Sequence, residues 1–434
     1  MQSRGLYIAT AVLAILGGLW YWSQHRKPSE DAAKTSADTP PTILKLDEAS
    51  ITHVQLTKKD SPPVALDKNA SGEWQITAPK PLRADQSAVS GLVATVSSLN
   101  SERLVEDKAT NPAQYGLAPA ALQVDLSERD NKSQKLLIGD DTPTGSAVYA
   151  MLPGDPRVFT IASYTKTSLD KGLNDLRDKR LITENSDNIS RVELIKKGSD
   201  LEFGRNKDEW QILKPKPLRA NNTEVGDLVR QLTEAKMDTS ADTAKASSDF
   251  AKATTVATAK VTDQSGTQQL EVRKAKDDYY AKSSTVEGAY KIDSSLGKEV
   301  EKNLDEFRNK SLFDFGFTTP NKIAIHNGGK LYFLTRGTAG EDDWWSNGKK
   351  MDAGKVNDLI SKLRNLSASG FADSGFSSPT TEVTVTSNDG KRIENVSFVK
   401  SSDGYIAQRR GEATFYKLSV SSVDDLIKSA DTIQ

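Results

Sequence analysis

Three times along the chain, an alternating apolar–polar stretch leads into a tryptophan and then into apolar residues at helical spacing. Trp74 stands in Glu73-Trp74-Gln75-Ile76, and Trp210 in Glu209-Trp210-Gln211-Ile212. The same connection follows each: Pro79-Lys80-Pro81-Leu82-Arg83-Ala84 and Pro215-Lys216-Pro217-Leu218-Arg219-Ala220. Val89, Leu92, Val93, Val96 and Leu99 then recur every three or four residues, the period of one buried helix face. Val225, Leu228, Val229, Leu232 and Ala235 repeat the stripe. Val356, Leu359, Ile360, Leu363 and Leu366 give a third version, after Trp345 and a shortened connection. Asp85, Asn222 and Asp352 stand near the helix starts, where their side chains suit N-caps.

The flanking segments repeat as well. Before each tryptophan, period-2 apolarity bounded by Gly, Asp and Asn predicts a hairpin: Ile51–Leu56 with Val64–Leu66, Ile189–Ile195 with Leu201–Phe203, and Lys322–His326 with Leu331–Leu334. After each helix a second β region carries Val148-Tyr149-Ala150, Tyr279-Tyr280-Ala281 or Tyr405-Ile406-Ala407. A further amphipathic helix closes each unit, with Leu169, Leu173 and Leu176, then Val300, Leu304 and Phe307, then Val423, Leu426 and Ile427. The chain therefore reads as three tandem homologous domains, 43–182, 183–313 and 314–434. Locally connected sheets alternating with single helices predict an α+β fold, each domain an antiparallel β-sheet with two amphipathic helices.

The N-terminus follows a different pattern. Gly5–Trp22 is an uncharged run ending in Trp20-Tyr21-Trp22, with Arg4 before it and His25-Arg26-Lys27 after it. At about 1.5 Å per residue it reaches roughly 27 Å, enough for a hydrocarbon core, and aromatics at its end suit the interfacial belt. Residues 1–22 thus read as an uncleaved transmembrane signal anchor; a cleaved signal peptide is the competing reading, with Ala37 as its cleavage candidate. Residues 23–42 lack apolar periodicity and read as a flexible linker. The short N-terminal tail points to the remainder crossing the bacterial inner membrane into the periplasm.

Composition narrows the chemistry. Over 434 residues, 58 Lys+Arg offset 59 Asp+Glu, so the broad basic surface that non-specific nucleic-acid binding needs is missing. No Cys excludes disulfides, thiolate nucleophiles and Cys-ligated metals. His25, His53 and His326 share no metal-ligand spacing, and the pairs Asp140-Asp141, Asp277-Asp278, Asp342-Asp343 and Asp424-Asp425 lack the spacing of a calcium loop. Neither a nucleophile elbow nor a phosphate-cradling glycine loop occurs. No catalytic, cofactor-binding or metal residue is expected, nor any cofactor. The residues singled out for interaction are Trp74, Arg83, Trp210, Arg219 and Trp345, because Trp and Arg dominate binding hot spots. The structural alternative is core tryptophans beside stiffened connections. Arg177-Asp178-Lys179 and Arg308-Asn309-Lys310 close two helices, where cations favour the macrodipole.

Trp74 followed by Pro79 and Ala84, then Tyr115-Gly116-Leu117, Leu137-Ile138-Gly139, Val148-Tyr149-Ala150 and Leu176-Arg177-Asp178-Lys179, resembles a bacterial family. It is the uncharacterised, membrane-anchored repeat family catalogued as domain of unknown function 4340. The second unit departs from the pattern, with Phe250-Ala251-Lys252 in place of Tyr-Gly-Leu, and the third keeps mainly the periodicity. The resemblance implies an envelope protein similar in setting to accessory components of gliding-motility-type ABC transport systems. It transfers no catalytic residue.

The expected function is that of a non-enzymatic interaction or scaffold module. It is held to the membrane by its own helix, with an integral-membrane partner such as an ABC-type transporter complex and no nucleic acid. A lipid- or glycan-binding carrier and an envelope hydrolase are the alternatives. A hydrolase would need site residues that break the repeat.

Overall fold

Alternation along the strands resolves into three antiparallel sheets. In a computed structural model, residues 42–433 are described apart from Asn131, Ala339 and Glu341. The predicted anchor, and the linker up to residue 41, lie outside the described residues. Among the described residues no helix is long and apolar enough to cross a membrane. The chain divides after Asp178 into two compact units; the first contains one sheet and the second contains two.

In the first sheet the strand order is Leu82–Arg83, Trp74–Ala78, Val64–Lys68, Ile51–Lys58, Leu122–Glu128, Ser133–Asp141, Ala147–Met151, Val158–Ala162 and Arg103–Glu106. Two meanders thus meet through their first strands. The helix Gln86–Ser97 connects them, with Val89, Leu92, Val93 and Val96 buried. The second sheet repeats this with Arg191–Ile195 against Thr254–Thr262, and the third with Lys322–Asn327 against Thr381–Ser387. Their connecting helices, Asn222–Glu234 and Ala353–Arg364, bury the predicted stripes. Complete burial of each such Val or Leu contributes about 1.5–3 kcal/mol, and each stripe joins the inward residues of its sheet in one core. The α+β class and the repeated antiparallel sheets are as the periodicity predicts.

Three details differ from the sequence reading. The cap of the second helix is Asn221, which accepts from Thr223 and Glu224 backbone N–H, whereas Asn222 turns back and accepts from Trp210 N at 2.6 Å. In the first two copies the closing helix is broken, as Ser163–Leu169 with Leu173–Leu176 and Ser294–Glu301 with Leu304–Phe307; only the third is continuous, Val420–Asp431. Leu181 and Ile182 belong to the second core rather than the first, and Leu312 and Phe313 to the third.

A helix that the periodicity did not predict, Thr243–Lys252, packs Ala246 and Phe250 against Tyr280 and Ala289 in the second sheet. The first and third sheets have short edge strands after their helices instead, Arg103–Glu106 and Gly370–Ala372. Asp242 as N-cap, with Ala246 and Phe250 one helical turn apart, was the legible signal.

The Tyr115-Gly116-Leu117 and Ile138-Gly139 motifs meet where a small satellite core, holding Tyr115 and Leu117, borders the main core that holds Ile138. Gly116 takes the left-handed conformation, φ +67°, closing a 3-10 turn, and a Cβ on Gly139 would lie 2.1 Å from Tyr115 O. Tyr115 packs on Tyr149 with ring centroids 4.8 Å apart and donates to Glu106 at 2.8 Å. These glycines allow a loop and a strand to touch backbone to backbone.

Candidate functional site

Strand alternation decides which way each tryptophan points. Trp74 pairs with Lys68 and Trp210 with Arg205 across their hairpins, and both rings are buried. The partner cations lie 4.9 and 5.9 Å from the ring centroids, a modest cation–π contribution. A side-chain amide ties each tryptophan's backbone to the following helix: Gln86 accepts from Trp74 N and donates to Trp74 O, both at 2.8 Å, and Asn222 serves Trp210. The Trp positions are therefore core positions.

In the third copy this role belongs to Trp344, fully buried and paired with Arg336, not to Trp345. Trp345 is 40% exposed on the opposite face, its indole N–H donating to Asp343 at 3.0 Å. The sequence reading missed this by one residue, and in a strand one residue exchanges core for solvent.

The two arginines of the repeated motif have different surroundings. Arg83 is half-buried and lies 4.0 Å from Asp178. Arg219 is half-buried at the junction between the second and third sheets, inside one compact unit. Its guanidinium contacts Asp314, donates to Ser311 O at 2.5 Å and to Tyr416 OH at 3.0 Å, and has Glu412 at 3.0 Å from Nε. Burial opposes the charge, but Tyr416, Glu412 and Asp314 outweigh it and hold the guanidinium above its usual value.

Arg409 completes the network. It donates to Leu312 O at 2.7 Å and pairs with Glu394 at 3.1 Å and Glu412 at 2.9 Å. Glu394 is nearly inaccessible and accepts from Asp314 N at 2.9 Å. Tyr416 donates to Glu412 at 2.7 Å, and burial, opposed by Arg219 and aided by Glu412, pushes its hydroxyl up to about 12. Arg308, predicted to serve its helix end, has left the helix; it covers the Phe371 ring at 3.3 Å and donates to Thr414 at 3.3 Å. Opposite charges held this way fasten two surfaces; every acid in the network already faces a cation.

None of Asp314, Glu394, Arg409, Glu412 or Tyr416 was singled out from the sequence. The one signal was Glu394, a carboxylate on the inward side of Glu394-Asn395-Val396-Ser397-Phe398. A second charged cluster clamps two helices of the second sheet: Lys302 bridges Glu224 at 2.6 Å and Glu299 at 2.7 Å, and burial raises the Glu299 carboxyl. On the first sheet's outer face, His53 Nδ1 lies 2.6 Å from Asp67 beside a polar hollow of 490 Å³. Among the described residues no group of three His, Asp or Glu is arranged to hold a metal.

Residues 74–249 and 210–388 each match the family described as "Domain of unknown function (DUF4340)". The two matches begin at the two repeated tryptophans. No curated protein matches. Among solved structures, the chain is similar to a DNA polymerase sliding clamp from Pseudomonas aeruginosa with ligand, at 7% identity and TM-score 0.17, covering 87% of this chain and 93% of that one. A DNA polymerase III subunit beta from the same organism gives 7% and 0.16, covering 86% and 93%. Overlap that poor assigns neither fold nor activity.

Proposed function

From the premise that this chain belongs to the family described as domain of unknown function DUF4340, we propose that it is a membrane-anchored, extracytoplasmic repeat protein acting as a non-enzymatic scaffold. In this reading Gly5–Trp22 holds it to the bacterial inner membrane, and the linker lets the repeats work in the periplasm. Their partner is an integral-membrane complex of the ABC-transporter type. The observation that supports it best is the use made of Arg219. A motif arginine committed to Asp314, Glu412 and Tyr416 joins one repeat to the next, which suits a spacer more than a binding cleft. A spacer tethered beside its partner acts by raising local concentration.

Crosslinking in native membranes, followed by mild detergent extraction, tests this. Integral-membrane proteins are expected to co-purify in fixed proportion with the full chain. Recovery of the chain alone, or with a stoichiometric lipid or glycan found by mass spectrometry, would count against it. Sidedness is read separately. Because the chain lacks Cys, Lys245→Cys at an exposed helix position should react with an impermeant maleimide in intact spheroplasts.

A further inference from the structure

The three sheets share a strand register, so their outer faces can be compared position by position. One row crosses the first sheet as Arg83, Gln75, Asp67, His53, Ser127 and Ser133. The same row in the second sheet is Arg219, Gln211, Gly204, Arg191, Thr262 and Thr267. In the third it is Lys350, Trp345, Thr335, Lys322, Thr386 and Ile393. Two polar positions have become Trp345 and Ile393, 40% and 67% exposed. In the neighbouring row, the position of Ala65 and Glu202 is taken by Phe333, 43% exposed, and Leu331 on the same strand is 53% exposed. Glu202 in the second sheet is tied down by Arg191 and Lys214. Trp345 and Ile393, exposed where both sister sheets are polar, with Phe333 and Leu331 exposed beside them, make a larger apolar patch than the single Leu213, 39% exposed, on the same face of the second sheet, and mark a docking surface.

We propose that this outer face of the third sheet docks on an anionic lipid surface. Its cations argue for that occupant. Lys322 lies in the row between Trp345 and Ile393 and has no ion-pair partner among the described residues, and Lys350 stands exposed beside Trp345 on the edge strand. The acids nearby are engaged: Asp343 faces Lys350 at 3.3 Å and the Trp345 indole, and Glu382 accepts from Asn395. Tryptophan with lysine on a flat sheet is the composition of a bilayer interface, where the indole sits at headgroup depth and lysine stems reach the phosphates. A hollow of 220 Å³ opens at the sheet edge beside it, with Leu331, Phe333, Met351 and Ile433 as its apolar wall and Ser346, Asn347 and Lys349 as its polar one. A two-fold pairing of this face with a second copy would instead bring the same lysines together. The proposal rests on the scaffold reading only in having a bilayer within reach.

The test uses the full chain carrying Thr335→Cys, labelled with an environment-sensitive fluorophore, and a control label at Thr258→Cys on the second sheet's outer face. With vesicles containing phosphatidylglycerol, the Thr335 label should shift to the blue and become accessible to a lipid-borne quencher. The control should stay unchanged. The shift should be lost in phosphatidylcholine alone, at high salt, and in a Leu331→Ser, Phe333→Glu, Trp345→Gln, Ile393→Thr variant whose circular dichroism and melting match the parent. Resistance of the bound chain to carbonate extraction reports the anchor independently, so failure of the anchor and failure of the face are distinguishable. A Thr335 label indifferent to anionic lipid overturns the proposal. So does a shift that needs no lipid and follows protein concentration, which would make the face a self-association surface.

Discussion

At the scale of single residues, neighbouring tryptophans separate burial from exposure. Trp210→Ala and Trp344→Ala each empty a core position and should cost about 3–5 kcal/mol in urea unfolding. Trp345→Ala, on the solvent face, should change stability by only about 0.5 kcal/mol. Tyr416 adds a pH signature. Burial raises its folded pKa from the ordinary 10.0 of a tyrosine to about 12, so the folded state binds that proton more tightly than the unfolded one. The resulting stability is fully present below about pH 10 and is lost as pH rises toward 12. Tyr405, held by burial and by Asp424, is shifted the same way. Tyr416→Phe should therefore flatten the alkaline fall in melting temperature without abolishing it. A fall as steep as the parent's would mean that Tyr416 does not carry this linkage.

At the scale of elements, caps and close approaches fix how helices and loops meet the sheets. Asn221→Ala removes the cap of Asn222–Glu234 and should cost about 1 kcal/mol, measured by denaturant midpoint. Gly139→Ala would force a Cβ to within 2.1 Å of Tyr115 O, so the loop of Tyr115 must leave its strand. Amides around Leu117 should then exchange faster with solvent, while those of Val89–Val96, in the main core of the same unit, stay protected. This division also explains what the sequence made legible. Helix stripes and paired strands have short periods, so Val89 to Leu99 and their two repeats announced themselves. The break at Lys302-Asn303 was not legible, because the helical spacing runs on through Leu304 and Phe307 while the chain turns. Trp345 was mistaken for Trp344 because two adjacent tryptophans give period-2 reasoning no way to choose between faces.

At the scale of the whole chain, the arrangement depends on contacts that no local pattern records. Arg219 and Tyr416 are far apart in sequence, and no local periodicity around either points to the other. Repetition pointed to Arg219 as a residue of interest, and its surroundings show that its partner is the chain's own next repeat. Removing one member of a half-buried ion network leaves the others partly uncompensated, so Arg219→Ala should cost about 1–3 kcal/mol, less than the loss of a fully buried partner. The way that loss appears is the sharper prediction. With the network intact, the second and third sheets should unfold in one transition, since Arg219, Asp314, Arg409 and Glu412 join their cores. Arg219→Ala should separate them, with amides of Ile323–Ile325 and Val192–Leu194 losing protection at different denaturant concentrations. An alanine variant in which both sets still open together would show that other contacts, such as the cation–π stack of Arg308 on Phe371, suffice to couple the repeats, and that the network around Arg219 only sets their register.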